Sequence, residues 1–141
     1  VHSPVKNDFF TFHSCLTLED FFVCSYDFDC SKIQTLEDLT KYRTLLLEKS
    51  SYSRKVLDAN LLKYNIELHP KFELASLDLL IEFAKKNMGI ICVSKQYIKK
   101  ELENKELKII NLKEKLDLRA ISLAYDKENI SNAAKRFVEF I

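Results

Sequence analysis

An α/β fold with mainly parallel sheets is what this sequence predicts, and three observations predict it. Short apolar blocks, such as TLLL at 44–47 and IICV at 90–93, alternate with stretches of helical periodicity. Those helical stretches open on serine or threonine, whose side chains accept the orphan amide hydrogens of a first turn. The 141 residues hold one glycine, Gly89, where average usage of roughly 7% would give about ten. It lies where an amphipathic run meets IICV, so a helix must turn sharply there into a buried strand.

The first eight residues, VHSPVKND, are an apolar start broken by Pro4 and a polar turn; FFVCSY at 21–26 is predicted as a strand. Thr35 opens a brief helix with Leu36 and Leu39 as its stripe, and Asp38 stands at the position of a capping box. RTLLLEK at 43–49 suits a buried strand. The helix that follows has serines 50, 51 and 53 as candidate caps and Asn65 at its end. IELHPKFEL is interrupted by Pro70, so a loop is expected to join two short extended pieces. The strongest helix starts at Ser76, with Leu77, Leu80, Ile81 and Ala84 inward and lysines 85 and 86 at its negative end. Asn87 and Gly89 are then expected to supply left-handed backbone before IICV. Next come a helix capped by Ser94, a strand in KELKIINL and a strand in LDLRAISLAYDK. A last helix is capped by Ser131, with Ala134, Phe137, Val138 and Ile141 inward.

Composition limits the function classes. Hydrophobic residues at 47% and charged residues at 30% describe a globular chain, and 22 basic against 21 acidic residues leave a formal charge of +1. That balance gives no electrostatic footprint for nucleic acid. No apolar run is long enough to span a bilayer, and no charged-then-apolar leader opens the chain. The first residue is valine, as expected of a piece of a longer protein. Cys15, Cys24, Cys30 and Cys92 form no CxxC pair, and His2, His13 and His69 are scattered, so no metal site and no cofactor are expected. The cysteines are expected to be packed thiols in a reducing cytosol, with catalytic thiol chemistry as the alternative.

Several stretches together resemble the effector-binding domain of LysR-type transcriptional regulators. They are TLEDL before a short apolar strand, a polar-capped helix carrying Ser53, Arg54 and Asp58, a long helix running into GIICV, and a small-residue final helix that includes Phe140. The resemblance covers nearly the whole chain. It implies a periplasmic-binding-protein-like domain of two lobes, the first incomplete: 1–26 its end and the first crossover strand, 27–112 the second lobe, 113–141 the return strand and last helix. It also implies a cytoplasmic homodimer or tetramer that senses a small metabolite in an interlobe cleft and touches DNA through a segment absent from this chain. Asn87 stands where the family commonly has glycine.

In open α/β sheets ligands lie beyond the carboxyl ends of the strands, near helix N-termini. Three such places recur: EKSSYS with Ser50 and Ser51, LAS with Ala75 and Ser76, and CVS with Cys92 and Val93. The resemblance adds Ser3 and Pro4, facing them across the cleft. For each serine, helix capping is the competing role, and Cys92 and Val93 also suit a core or cleft wall. A transport solute-binding protein, which should carry an export leader, and an enzyme of related fold, which should show a convergent acid–base pair, are the alternatives.

Overall fold

The computed structural model describes the backbone of residues 2–3 and the whole of 8–141. The chain divides into two compact units, one of 1–19 with 118–141 and one of 20–117.

The larger unit is a five-stranded sheet between two apolar layers. Its strands are β3 (Asp20–Ser25), β4 (Leu45–Leu47), β5 (Phe72–Leu74), β6 (Ile91–Ser94) and β7 (Leu107–Ile109). β4 pairs with β5 in parallel, and β3 pairs antiparallel with both β6 and β7. A parallel bridge between Thr44 and Ile90 joins the two sets, with the Leu45 N–H donating to the Ile90 carbonyl at 2.8 Å and the Ile90 N–H to Arg43 at 2.9 Å. The order is therefore β5-β4-β6-β3-β7, and β3 alone opposes the other four.

Side-chain alternation along the strands divides the core. Phe22 and Cys24 of β3 and Leu46 of β4 join one layer with Leu36, Leu39, Leu57 and Leu61. Val23, Leu45, Ile91 and Val93 join the other with Leu80, Ile81, Ala84 and Ile98. The first layer thus packs against α1 (Leu36–Leu39) and α2 (Tyr52–Lys63). The second packs against α3 (Leu77–Lys85) and the residue just before α4 (Lys99–Glu103).

Helix boundaries follow their caps. Thr35 and Asp38 form the expected capping box. Hydrogen bonds from the Gln34 N–H and from the Thr35 hydroxyl and N–H hold the Asp38 carboxyl down at about 2. At the C-termini of α2, α3 and α4, one residue in left-handed geometry closes the helix: Asn65 (φ 55°), Asn87 (φ 57°) and Lys105 (φ 55°). Each belongs to a Schellman pair. In α3, for example, the Met88 N–H donates to the Phe83 carbonyl at 3.0 Å and the Asn87 N–H to Ala84 at 2.9 Å. So Asn and Lys hold positions that glycine usually fills.

Gly89 departs from its expected role, because its φ is not positive. The constraint on it is close approach. A Cβ there would stand 2.9 Å from Leu45 Cγ and 3.0 Å from the Arg43 carbonyl oxygen. The lone glycine therefore lets the chain entering β6 lie against β4.

The smaller unit holds β1 (His2–Ser3), β2 (Thr11–Leu18), β8 (Arg119–Tyr125) and α5 (Asn132–Phe140). Its strands pair antiparallel in the order β1-β8-β2, unlike the parallel arrangement of β4, β5 and β6. A bulge at Cys15 shifts the register between Ser14 and Leu16. Both core layers belong to the larger unit, and only Leu18, Arg119 and Ser122 are fully buried among the described residues here. Ser131 caps α5 by accepting the Ala134 N–H at 3.2 Å. Contrary to expectation, Phe137 and Ile141 are exposed, as is Phe140, and neither core layer includes a residue of this unit.

Candidate functional site

Because β4, β5 and β6 are parallel, their carboxyl ends fall on one edge of the larger unit's sheet. Leu47 ends β4 opposite Leu74, which ends β5, and the Glu48 N–H reaches the Leu74 carbonyl at 3.0 Å. Each strand then enters a helical turn: α2 after Ser51, α3 after Ser76, and a short 3-10 helix (Lys95–Tyr97) after Ser94.

Six of the eight residues expected at a ligand belong to these strand ends. Ser50 is exposed and its hydroxyl donates to Glu48 Oε1 at 2.8 Å. Ser51 is the half-buried N-cap of α2 in extended geometry, yet its side chain makes no capping bond. Ala75 and Ser76 are exposed, and Ser76 Oγ accepts the Leu79 N–H at 3.3 Å. Cys92 is half-buried against the α1–α2 layer, whereas Val93 is buried in the α3 layer, so the two form walls on opposite faces. Ser3 lies in the other unit with its backbone paired to Ala120, and Pro4 lies outside the described residues.

Two expected caps behave differently. Ser53 is inside α2 rather than at its start, and Ser94 is fully buried and gives no cap. The Ser94 hydroxyl instead donates to Asp20 Oδ1 across the β3–β6 register. The edge is also braced by Arg54, whose side chain is only 3% exposed. Its Nε donates to Asp58 Oδ1 at 2.9 Å and Oδ2 at 3.1 Å, and Nη1 donates to the Leu47 carbonyl at 2.8 Å. Glu73 adds an ion pair at 3.7 Å. Arg54 thereby ties the start of α2 to the last carbonyl of β4.

The chain matches the model of the LysR substrate binding domain over residues 2–141. It belongs to that family. No curated protein matches it by sequence. Among solved structures, the regulatory domain of CcmR from Synechocystis PCC6803, in complex with 2-PG, superposes with a TM-score of 0.85 at 17% identity, over 99% of this chain and 69% of that one. The effector binding domain of QuiR in complex with shikimate gives 0.79 at 22% identity, over 98% and 66%. The regulatory domain of MetR, a LysR family regulator from N. meningitidis, gives 0.74 at 15%, over 97% and 66%. The chain therefore spans roughly two thirds of the length of those chains, and at these identities the likeness shows the fold.

In this LysR-family domain the Asp20–Ser94 pair was invisible to sequence reading. Pairing of β3 with β6 makes neighbours of residues far apart in the chain, and only the register shows it. Arg54 and Asp58 offered a signal, a basic and an acidic residue four apart on one helix face. Among the described residues no group of His, Cys, Asp and Glu could hold a metal, and no helix is long and apolar enough to cross a membrane.

Proposed function

We propose that this chain is the effector-sensing part of a LysR-type transcription regulator and binds a small metabolite at the strand-end edge of the unit 20–117. The observation that carries this reading is the convergence of three parallel strand ends, each feeding a helical turn, in a chain whose family match runs over 2–141. Helix N-termini favour negative charge and hydrogen-bond acceptors. Serines 50, 51 and 76 add hydroxyls there, so the effector expected is a small acid rich in oxygen. The solved domains with 2-PG and with shikimate support that class.

Ser50, Ser51, Ala75 and Ser76 would meet the ligand, Cys92 and Val93 would wall the site, and Ser3 with Pro4 would contribute from the other unit. The partition expected from the family then makes 1–26 the end of the first lobe with the first crossover strand, 27–112 the second lobe, and 113–141 the return strand with the last helix of the first lobe. Effector binding would favour one of two lobe arrangements, since only a differential affinity transmits a signal. In the whole regulator, a cytoplasmic homodimer or tetramer, that bias would reach a DNA-binding segment outside these 141 residues. The chain would act by binding and not by catalysis. A transport protein shares the geometry; the family match favours the regulator.

Thermal shift and calorimetry on the full-length regulator with a panel of small hydroxy-, phospho- and cyclic carboxylates test this. A true effector at a hundredfold excess over its Kd should stabilise by about 2.7 kcal/mol. Ser51→Ala and Ser76→Ala should weaken it without loss of fold. Ligands that bind with unchanged affinity in both variants would overturn the assigned edge, and a panel without a binder would count against sensing.

A further inference from the structure

We infer that the larger unit holds a second ligand site, for a small monocarboxylate with a single-ring apolar body, at the end opposite the strand-end edge. Arg43 leads into β4 and Gly89 into β6, and the Thr44–Ile90 bridge joins the amino ends of these parallel strands. A cavity of about 200 Å³ lies there. Cys24 and Ile90, both buried, line it together with the half-buried Phe28, Tyr42 and Met88. The Phe28 and Tyr42 rings pack edge to face, with centroids 6.0 Å apart and planes at 87°. A cavity of about 150 Å³ lined by leucine, isoleucine and phenylalanine takes up benzene, so this one has room for a ring.

The lining selects the ligand's charge. Arg43 lines the cavity and no acidic residue does. Among the described residues the Arg43 guanidinium has no carboxylate or other acceptor, and the Tyr42 hydroxyl and Asn87 side-chain amide, which also line the cavity, have no partner either. Arg54, by contrast, already donates to Asp58 and to the Leu47 carbonyl. Gly89 is part of the wall, and a Cβ on it would lie 3.4 Å from Arg43 Cγ, so the guanidinium starts just beyond that wall. A guanidinium with unused N–H groups grips a carboxylate at two points. The ring would sit among Phe28, Met88 and Ile90, and Tyr42 and Asn87 would add donors for the carboxylate. An acid rich in hydroxyls, the class proposed for the strand-end edge, would leave those hydroxyls unpaired against the apolar wall. The two ends of the sheet therefore select different ligands.

The chain holds a single glycine, so ¹⁵N-glycine labelling gives one amide signal, and that signal comes from the cavity wall. Titration of the full chain with sodium benzoate should move it along a saturating curve. Benzyl alcohol, which keeps the ring and lacks the carboxylate, should bind more weakly by about tenfold or more. Arg43 is exposed, so Arg43→Gln should keep the fold, weaken benzoate by about tenfold or more and leave benzyl alcohol unchanged. Circular dichroism checks that variant, and the benzoate-to-alcohol ratio of the parent chain decides the matter if it is unfolded. Ser51→Ala and Ser76→Ala should leave the benzoate Kd unchanged, which separates this site from the strand-end edge. A Gly89 signal that stays in place or drifts without saturating would overturn the inference. So would benzoate binding that survives Arg43→Gln at full strength.

Discussion

Gly89→Ala tests the strand geometry on which the candidate site rests. The added methyl would stand 2.9 Å from Leu45 Cγ and 3.0 Å from the Arg43 carbonyl oxygen. Neither neighbour yields easily: Leu45 is fully buried, and that carbonyl accepts the Ile90 N–H at 2.9 Å. Overpacking of this kind costs about 1–3 kcal/mol, while alanine returns about 0.4–1 kcal/mol by restricting the unfolded chain. The φ of Gly89 is not positive, so no left-handed penalty is added. A net loss of about 1–2 kcal/mol should appear as a lower urea midpoint at unchanged slope. Leu45→Ala removes one of the two obstructing atoms, so Gly89→Ala should cost less in that background, a coupling read from the double-mutant cycle. An alanine variant as stable as the parent, or one with the same cost in both backgrounds, would refute the close-approach account of this glycine.

Lys105 gives the opposite expectation. It is held at φ 55° without being glycine, so Lys105→Gly should stabilise by about 0.5–1 kcal/mol in urea denaturation. The capping box predicts acid behaviour. Asp38 is depressed to about 2 in the fold from about 4 unfolded, so its contribution is present above pH ~4 and lost as pH falls toward ~2. Asp38→Asn should flatten the melting temperature against pH within that window. Asp58→Ala removes two hydrogen bonds from buried Arg54 and should cost about 1.5–3 kcal/mol; a loss under 0.5 kcal/mol would mean Glu73 and the Leu47 carbonyl suffice. Finally, Phe137 and Phe140 of α5 and Ile141 just after it stand exposed, so the chain should self-associate. Light scattering should show mass rising with concentration, and Phe137→Ser with Phe140→Ser should suppress it.

The alternation of apolar blocks and capped helices was enough to place β4, β6 and α3, because each buries an apolar run or stripe, and α2 as well, although Arg54 and Asn60 share its buried face with Leu57 and Leu61. β2 was missed: the bulge at Cys15 interrupts its two-residue period, and most of its side chains are partly or fully exposed. Asn87 was legible as a helix stop because asparagine tolerates left-handed backbone, whereas Lys105 does the same job with no compositional signal. Gly89 was legible as a special position, but its reason was not, since the obstruction comes from Leu45 and Arg43, more than forty residues earlier. The strand-end serines followed from capping chemistry, yet only the register showed that Ser94 turns toward Asp20 instead of its own helix.

The division of β3 between two layers bears on how this strand can vary in length. Phe22 and Cys24 face α1 and α2, and Val23 faces the α3 side. Deleting one residue ahead of them would exchange those directions and press a phenylalanine ring into the space of a valine. Natural insertions or deletions before Phe22 should therefore come in twos, or be absorbed outside the ladder, as the extra residue at Cys15 already is.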